Sequence, residues 1–194
     1  LQKGIDKQVP GIGTAATGAN RLDNCQAAII GGIVQQNPAR LKMGTDALAT
    51  ELVYSTIDDG FYKDGSFIQH HQYPYNGAYG ASALLSIARI LYLFDGTSFM
   101  SYLPDLRNAY QWVYDSFEPL QYEGKMMDSV RGRSISGVGD KGYSILESLV
   151  LLSVNAPAPN NVYYKSLVKR FSTNNTTVNP YSQMSSVYTI SELY

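Results

Sequence analysis

The chain has 194 residues, with 15 Lys and Arg against 16 Asp and Glu, which gives a formal net charge of −1. Hydrophobic residues make up 44% and charged residues 16%, a balance typical of a globular protein with a substantial core and not of a disordered chain. The near-neutral charge argues against a general nucleic-acid binder, and no apolar run is long enough to predict a membrane span. The single cysteine, Cys25, excludes an internal disulfide framework and a cysteine-based zinc site.

Apolar residues at helical spacing predict six helices. In chain order they cover about residues 22–36, 41–57, 78–94, 104–117, 142–154 and 161–171. Two long Gly-rich connections, 58–77 and 122–141, separate them, and long ordered loops in compact domains are usually functional. No clear strand pattern occurs before about Ser185–Ile190. The sequence therefore predicts an all-α fold built from helical hairpins.

The ends of the chain suggest a piece of a longer, secreted protein. The chain begins Leu-Gln-Lys without a Met, so we expect a processed chain or a fragment. The tail from Ser172 is polar and rich in Asn and Thr, which is typical of a linker. Two overlapping glycosylation sequons, at 174–176 and 175–177, favour a secreted protein.

The only two histidines, His70 and His71, are adjacent, and adjacent side chains rarely point into one site. A metal centre would need one of them plus loop carboxylates, with no helical spacing to support it. Gln69, Tyr75, Asn76 and Tyr79 lie near His70 in sequence. Imidazole, phenol and amide groups together suit chemistry in which a proton leaves carbon and another reaches oxygen.

One glycine pattern also invites a nucleotide-binding interpretation. Gly137–Gly142 has the spacing of a dinucleotide-binding loop and precedes a predicted helix. However, the preceding segment, 127–136, carries three charged residues and is a poor candidate for a buried strand. No acidic residue follows at the expected distance, so we expect no nucleotide cofactor.

Three stretches resemble the motifs of polysaccharide lyase family 8, which includes the hyaluronate, chondroitin AC and xanthan lyases. Thr17–Arg21, with the sequence Thr-Gly-Ala-Asn-Arg, resembles the asparagine motif of that family. Asp64–Gly80 contains Asp-Gly-Ser-Phe-Ile-Gln-His and Tyr-Pro-Tyr-Asn-Gly-Ala-Tyr-Gly, and resembles the central signature. Met127–Ser136 resembles the arginine motif. All three occur in the family's order and spacing.

The resemblance implies that residues 1–172 form the C-terminal half of an (α/α) toroid. Residues 173–194 would then be a linker or the start of a following β-sheet domain. Half a toroid would expose apolar helix faces. We therefore expect those faces to pack against a portion outside this chain, either the remaining domains of the same protein, another chain or an identical copy.

The resemblance also implies site residues and a reaction. Asn20 matches the family's carboxylate-binding asparagine, His70 the catalytic histidine, Tyr79 the catalytic tyrosine and Arg133 the active-site arginine. The reaction would be β-elimination at a uronic acid, which leaves an unsaturated sugar and needs no water, metal or cofactor. Further candidate substrate contacts near these positions are Gln69, Asn76 and Arg131, the last with a structural or secondary role as the alternative.

These residue types fit the chemistry of proton removal next to a carboxylate. Taking that proton builds a dianion, so the carboxylate charge must be neutralised. Asn20, expected at the start of the first helix, can donate its amide together with free backbone N–H groups. His70 or Tyr79 would take the proton, Tyr79 would protonate the leaving oxygen, and Arg133 would stabilise negative charge on the phenolate or on the substrate.

Two alternatives remain open at this stage. The family's arginine motif usually ends with another arginine, where this chain has Gly137, so a carbohydrate-binding or structural fragment without catalysis is one alternative. The other is a toroid-type glycoside hydrolase, which needs two opposed carboxylates. The available acids are Asp58, Asp59, Asp64 and Asp128. Trp112 falls at helical spacing with apolar neighbours, which predicts a core position and not a sugar platform.

Overall fold

The computed structural model describes Ile12 and residues 16–122, 124–136 and 142–173. Four features of the sequence analysis lie outside this part of the chain. They are Gly137, the two sequons, the Ser185–Ile190 pattern and the predicted linker or β-sheet domain after residue 173. Its helices are α1 Gly18–Val34, α2 Pro38–Glu51, α3 Ala81–Phe94, α4 Arg107–Trp112, α5 Gly142–Asn155 and α6 Asn160–Thr173. The six predicted helices are therefore confirmed, although α4 is shorter than expected because it passes into a π-helical turn at Val113–Phe117.

The helices pack as neighbouring hairpins. A short connection joins α1 to α2, where the Asn37 side chain accepts a hydrogen bond from Arg40 N–H at 3.1 Å and Pro38 occupies the first helical position. The central helix, α3, packs against both α1 and α5, and α5 packs against α6. The all-α hairpin architecture predicted from the sequence is confirmed for the described residues.

Both Gly-rich connections contain short strands that the sequence did not predict. The first holds an antiparallel sheet of β1 Gly60–Phe61, β2 Phe67–Gln69 and β3 Tyr73–Pro74. The second holds the antiparallel pair β4 Gln121–Tyr122 and β5 Lys125–Met126. Strands of two or three residues are too short to show an alternating pattern, so periodicity could not reveal them.

Two further helix ends differ from the prediction by four residues or more. Helix α1 begins at Gly18, four residues before the predicted start, with Thr17 in the extended N-cap position. Helix α2 ends at Glu51, six residues before the predicted end. There the chain turns towards β1, and Ser55 N–H donates to the carbonyl of Phe61 at 2.7 Å. Asn20 is therefore the third residue of its helix and not the cap.

The core surrounds α3 and the aromatic residues of the first loop. Trp112 is fully buried and stacks on Phe61, with ring centroids 3.9 Å apart and planes 15° apart. The prediction that Trp112 belongs to the core is confirmed. One continuous stretch of described helix, Asn76–Phe94, is long and apolar enough to cross a membrane by length and composition alone, and 61% of that window is buried inside the protein.

Several large apolar side chains are exposed on the helices. Ile30 and Val34 of α1 are 39% and 57% exposed, and Leu93 of α3 is 41% exposed. Ile30 and Leu93 line the same groove of about 290 Å³, together with Arg89 and Glu147. Apolar helix faces are thus exposed, as expected for part of a larger helical domain.

Helices α1 and α2 approach each other closely at Gly32. A Cβ atom there would lie 2.6 Å from the backbone nitrogen of Leu41. Alanine is normally favoured over glycine in a helix by about 1 kcal/mol. We nevertheless expect Gly32→Ala to lower the free energy of unfolding by about 1–3 kcal/mol, measured by urea denaturation, because the backbone of α2 must move.

The control for this experiment is Thr50→Ala on the exposed side of α2. That substitution should change the free energy of unfolding by no more than about 0.5 kcal/mol. A Gly32→Ala protein as stable as the parent would contradict the close packing of α1 on α2.

Candidate active site

His70 lies in the turn between β2 and β3. The turn places His70 and His71 in the left-handed region of backbone conformation, with φ of 57° and 70°. Such a conformation costs a non-glycine residue roughly 1–2 kcal/mol, so the surrounding contacts must hold it. The His70 side chain is exposed and therefore open to a ligand.

Tyr79 is placed by a π-helical turn at Asn76–Gly80 that leads into α3. Its ring contacts His70 edge-on, with centroids 5.1 Å apart. The ring of Tyr75, which is only 4% exposed, lies 5.0 Å from Tyr79 and 6.1 Å from His70, again edge-on. The buried ring therefore supports both candidate catalytic rings from beneath.

Arg133 reaches the same place from the arginine motif. Its guanidinium Nη2 donates to the Tyr79 hydroxyl at 3.2 Å, and its backbone N–H donates to the Tyr75 hydroxyl at 3.0 Å. The preceding Gly132 has a φ of 52°, and a Cβ atom there would lie 2.0 Å from the Tyr75 ring. Only glycine fits this approach. The structure thus brings His70, Tyr79 and Arg133 together.

Asn20 lies in the first turn of α1 with its side chain exposed. The backbone N–H of Ala19, the residue before Asn20, donates to the Gln69 side-chain oxygen at 3.1 Å. Because Gln69 directly precedes His70, this hydrogen bond joins the sequence neighbours of Asn20 and His70. The expectation that the first backbone N–H groups are free for a substrate is wrong for the first two residues of the helix. Gly18 N–H donates to Glu51 at 3.0 Å, and Ala19 N–H is occupied by Gln69.

Gln69 and Asn76, predicted as substrate contacts, are 1% and 0% exposed. The Gln69 amide is occupied by Ala19, Thr17 and Asp59. The Asn76 oxygen accepts from Phe67 N–H, and its nitrogen donates to two backbone carbonyls. The prediction of direct substrate contact is wrong for both, because their polar atoms are buried and already paired. They hold the loops that carry the exposed residues.

Arg131 has a structural position. Its side chain is 12% exposed and pairs with Asp128 at 2.7 Å, and it also donates to the carbonyl of Ser134 at 3.1 Å. Of the two alternatives considered for this residue, these contacts favour the structural one. Arg131 packs over Gly77 and so joins the arginine motif to the π-helical turn.

A partly buried ion pair stabilises the start of α1. Arg21 Nε lies 3.4 Å from Glu51 Oε1, and the other carboxylate oxygen accepts from Gly18 N–H. Burial raises the pKa of Glu51, while the charge of Arg21 and the hydrogen bond from Gly18 oppose that shift. The carboxylate also complements the positive end of the α1 dipole. This interaction fixes the turn that presents Asn20.

Two residues of the site were not recognised from the sequence. The sequence indicates Tyr75 only as a phenol near His70, and Asp59 only as an acid available to a glycoside hydrolase. Asp59 in fact accepts hydrogen bonds from Thr17, Gln69 and His71. No spacing rule links residue 59 to residues 17 and 71, so only the folded structure reveals this role. Within the described residues, no group of three or more His, Cys, Asp or Glu could hold a metal ion.

Comparison with known proteins identifies the family. Residues 4–170 match the family model described as polysaccharide lyase family 8, N terminal alpha-helical domain. The chain is 38% identical over 174 residues to a xanthan lyase of Bacillus sp. (strain GL1), covering 86% of this chain and 18% of that protein. It is 35% identical over 153 residues to a hyaluronate lyase of Thermasporomyces composti, covering 77% of this chain and 20% of that protein.

A solved structure agrees with these sequence matches. The chondroitin AC lyase of Streptomyces coelicolor A3, in complex with chondroitin sulphate, superposes with a TM-score of 0.80 at 26% identity, covering 90% of this chain and 25% of that one. The chain thus spans about a fifth of the length of the curated relatives it matches. The predicted fold, part of an (α/α) toroid, is confirmed. The chain belongs to polysaccharide lyase family 8.

Proposed function

We propose that this chain carries catalytic residues of a polysaccharide lyase that cleaves a uronic-acid-containing polysaccharide by β-elimination. The main support is the cluster of His70, Tyr79 and Arg133 in a member of this family, with the rings of His70 and Tyr79 in contact and Arg133 on the Tyr79 hydroxyl. Acid–base groups and a cation at one exposed place are what proton removal beside a carboxylate requires.

In the proposed reaction, Asn20 donates its amide to the substrate carboxylate and lowers the energy of the dianion that forms. His70 or Tyr79 removes the proton from carbon five of the uronic acid. The electron pair forms the double bond as the glycosidic oxygen leaves, and Tyr79 protonates that oxygen. The products are an unsaturated sugar and a free hydroxyl, and no water is consumed.

The hydrogen bond from Arg133 to Tyr79 affects how His70 and Tyr79 share the two proton transfers of the proposed reaction. A guanidinium that donates to the phenol oxygen stabilises a phenolate more than a neutral phenol. Arg133 is therefore placed to stabilise negative charge that develops on the Tyr79 oxygen during the proposed reaction. Removal of the proton by either ring remains compatible with the 5.1 Å contact between His70 and Tyr79.

The relatives named above are described as acting on xanthan or hyaluronan, and the solved structure contains chondroitin sulphate. All three are acidic polysaccharides, so we propose that class as the substrate. We also propose that the exposed apolar faces of α1 and α3 pack against the rest of a toroid, of which this chain is the second half, and that a β-sheet domain completes the site. Because polysaccharides are large polymers, and because the sequence contains two sequons, we propose that the protein acts outside the cell.

Each alternative function meets a specific observation. A glycoside hydrolase would need two free, opposed carboxylates. Asp59 accepts three hydrogen bonds, Asp128 pairs with Arg131, and Asp64 accepts from Ser66, whose hydrogen bonds lower the pKa of Asp64. A carbohydrate-binding fragment without catalysis would not need Arg133 on the Tyr79 hydroxyl. β-Elimination therefore has the stronger support.

One prediction from the proposed function concerns the two rings of the cluster. We expect His70→Ala and Tyr79→Phe each to lower kcat by about 10²–10⁴-fold in the intact protein, because each removes a positioned acid–base group. The measurement is the ultraviolet absorbance of the unsaturated product with hyaluronan, chondroitin or xanthan. The matched control is His71→Ala, whose side chain is 82% exposed, and it should retain the parent rate.

The outcomes of this experiment separate the hypotheses. Full activity of both variants in an active protein would show that the assigned roles are wrong. Cleavage of the polymer without the ultraviolet signal would indicate a hydrolase. Binding of the polymer without cleavage would favour the non-catalytic alternative.

Another prediction concerns Asn20. Loss of a preorganised donor typically costs about 10²–10³-fold in kcat, so we expect a decrease of that size for Asn20→Ala. Asn20→Asp should be slower still, because a carboxylate there would repel the substrate carboxylate. The control is Asn37→Ala, which removes the cap of α2 and should cost about 1 kcal/mol of stability while leaving the rate unchanged. An active Asn20→Asp protein would contradict the role.

A further inference from the structure

The turn that carries His70 contains two consecutive left-handed residues, and something must hold it in that form. In the hairpin itself, Gln69 pairs with Tyr73 and Ile68 with Pro74, and Tyr75 N–H donates to the Phe67 carbonyl at 2.8 Å, but these contacts lie on either side of the turn. At the turn itself, the His71 N–H donates to Asp59 Oδ1 at 2.7 Å. This hydrogen bond acts on the backbone immediately after His70.

The second oxygen of the same carboxylate faces the start of α1. Asp59 Oδ2 accepts from the Thr17 hydroxyl at 2.8 Å and from the Gln69 side-chain nitrogen. The oxygen of the same Gln69 amide accepts from Ala19 N–H at 3.1 Å. Asp59 and Gln69 together therefore connect the turn to the first turn of α1, although the two segments lie about fifty residues apart in sequence.

We propose that Asp59 is a positioning residue that holds the His70 turn in its left-handed conformation and fixes it relative to Asn20. This proposal rests on the proposed function, in which His70 and Asn20 act on the same sugar. Asp59 itself is half-buried, and both of its oxygens are occupied by the protein, so it acts through His70 and not on the substrate.

Asp58 provides a contrast in the adjacent position. Its carboxylate is 60% exposed and lies 3.5 Å from Nδ1 of the His71 ring. An exposed pair of this kind contributes little to structure. The two neighbouring acids thus have the same charge and nearly the same place in the chain, but only Asp59 contacts the backbone of the turn.

The test compares Asp59→Asn with Asp58→Asn in the intact protein. An asparagine keeps one acceptor oxygen, so Asp59→Asn must lose either the bond to the turn or the bonds towards α1. Because misplacement of a catalytic group by about 1 Å can cost 10²-fold, we expect kcat to fall about 10–100-fold with KM changed by no more than about 3-fold. Asp58→Asn should stay within about 2-fold of the parent. Asp59→Glu keeps both oxygens and should recover part of the loss.

Two further measurements distinguish positioning from general destabilisation. In the His70→Ala background, Asp59→Asn should lower the residual rate by less than about 2-fold, because the residue through which it acts is gone. Hydrogen exchange of peptides covering residues 67–75 should be faster in Asp59→Asn and unchanged in Asp58→Asn. Thermal melting identifies any variant that fails to fold. If Asp59→Asn fails to fold, Asp59→Glu is compared with Asp58→Asn in its place.

Several results would overturn the proposal. They are an unchanged kcat in Asp59→Asn, a loss equal to that in Asp58→Asn, full additivity with His70→Ala, and unchanged exchange in the turn. Failure of the proposed function would look different. The protein would then produce no unsaturated sugar, or His70→Ala would be fully active, while the exchange measurement would still decide whether Asp59 holds the turn.

Discussion

The site depends on the buried side chain of Tyr75, which joins segments that are far apart in the chain. Its ring contacts His70 and Tyr79, and its hydroxyl accepts the backbone N–H of Arg133. A buried phenol without a partner is costly, and the Arg133 N–H provides a partner for the Tyr75 hydroxyl. The glycine before Arg133 allows the approach, since any side chain would collide with the ring. Packing and hydrogen bonding therefore place the guanidinium where Tyr79 needs it.

The helices could be predicted because their apolar residues repeat at helical spacing over ten or more positions. The helix ends were harder to predict, because they depend on contacts with other parts of the chain that the apolar spacing does not show. Helix α1 starts early because Glu51 and Gln69 accept its first N–H groups, and both come from other parts of the chain. The end of α2 is set by the hydrogen bond from Ser55 to Phe61 in β1. Tertiary contacts decided these boundaries.

The motifs located the site, but they did not show which of its polar residues face outward. Gln69 and Asn76 have the same chemistry as Asn20, yet the first two are buried and paired while Asn20 is exposed. A polar side chain in a loop can either bind a ligand or satisfy the loop's own backbone. Which of the two occurs depends on which other segments of the chain pack against the loop, and only the folded structure shows those segments. The importance of Tyr75 was hidden for the same reason, because nothing in the sequence separates its role from that of the other tyrosines.

In the proposed function, a base that acts on a polymer has two conflicting requirements, and His70 is one of the two candidates for that base. Its ring must be exposed, because a sugar chain has to lie across it, and its position must be fixed, because proton transfer tolerates little misplacement. Exposed loop side chains are usually mobile. In this protein the exposed His70 ring lies on a backbone turn whose left-handed conformation is held by buried or half-buried groups. The polar residues beneath the surface thus provide the order that an exposed ring cannot provide for itself, which is why Asp59 and Gln69 bond to other parts of the protein.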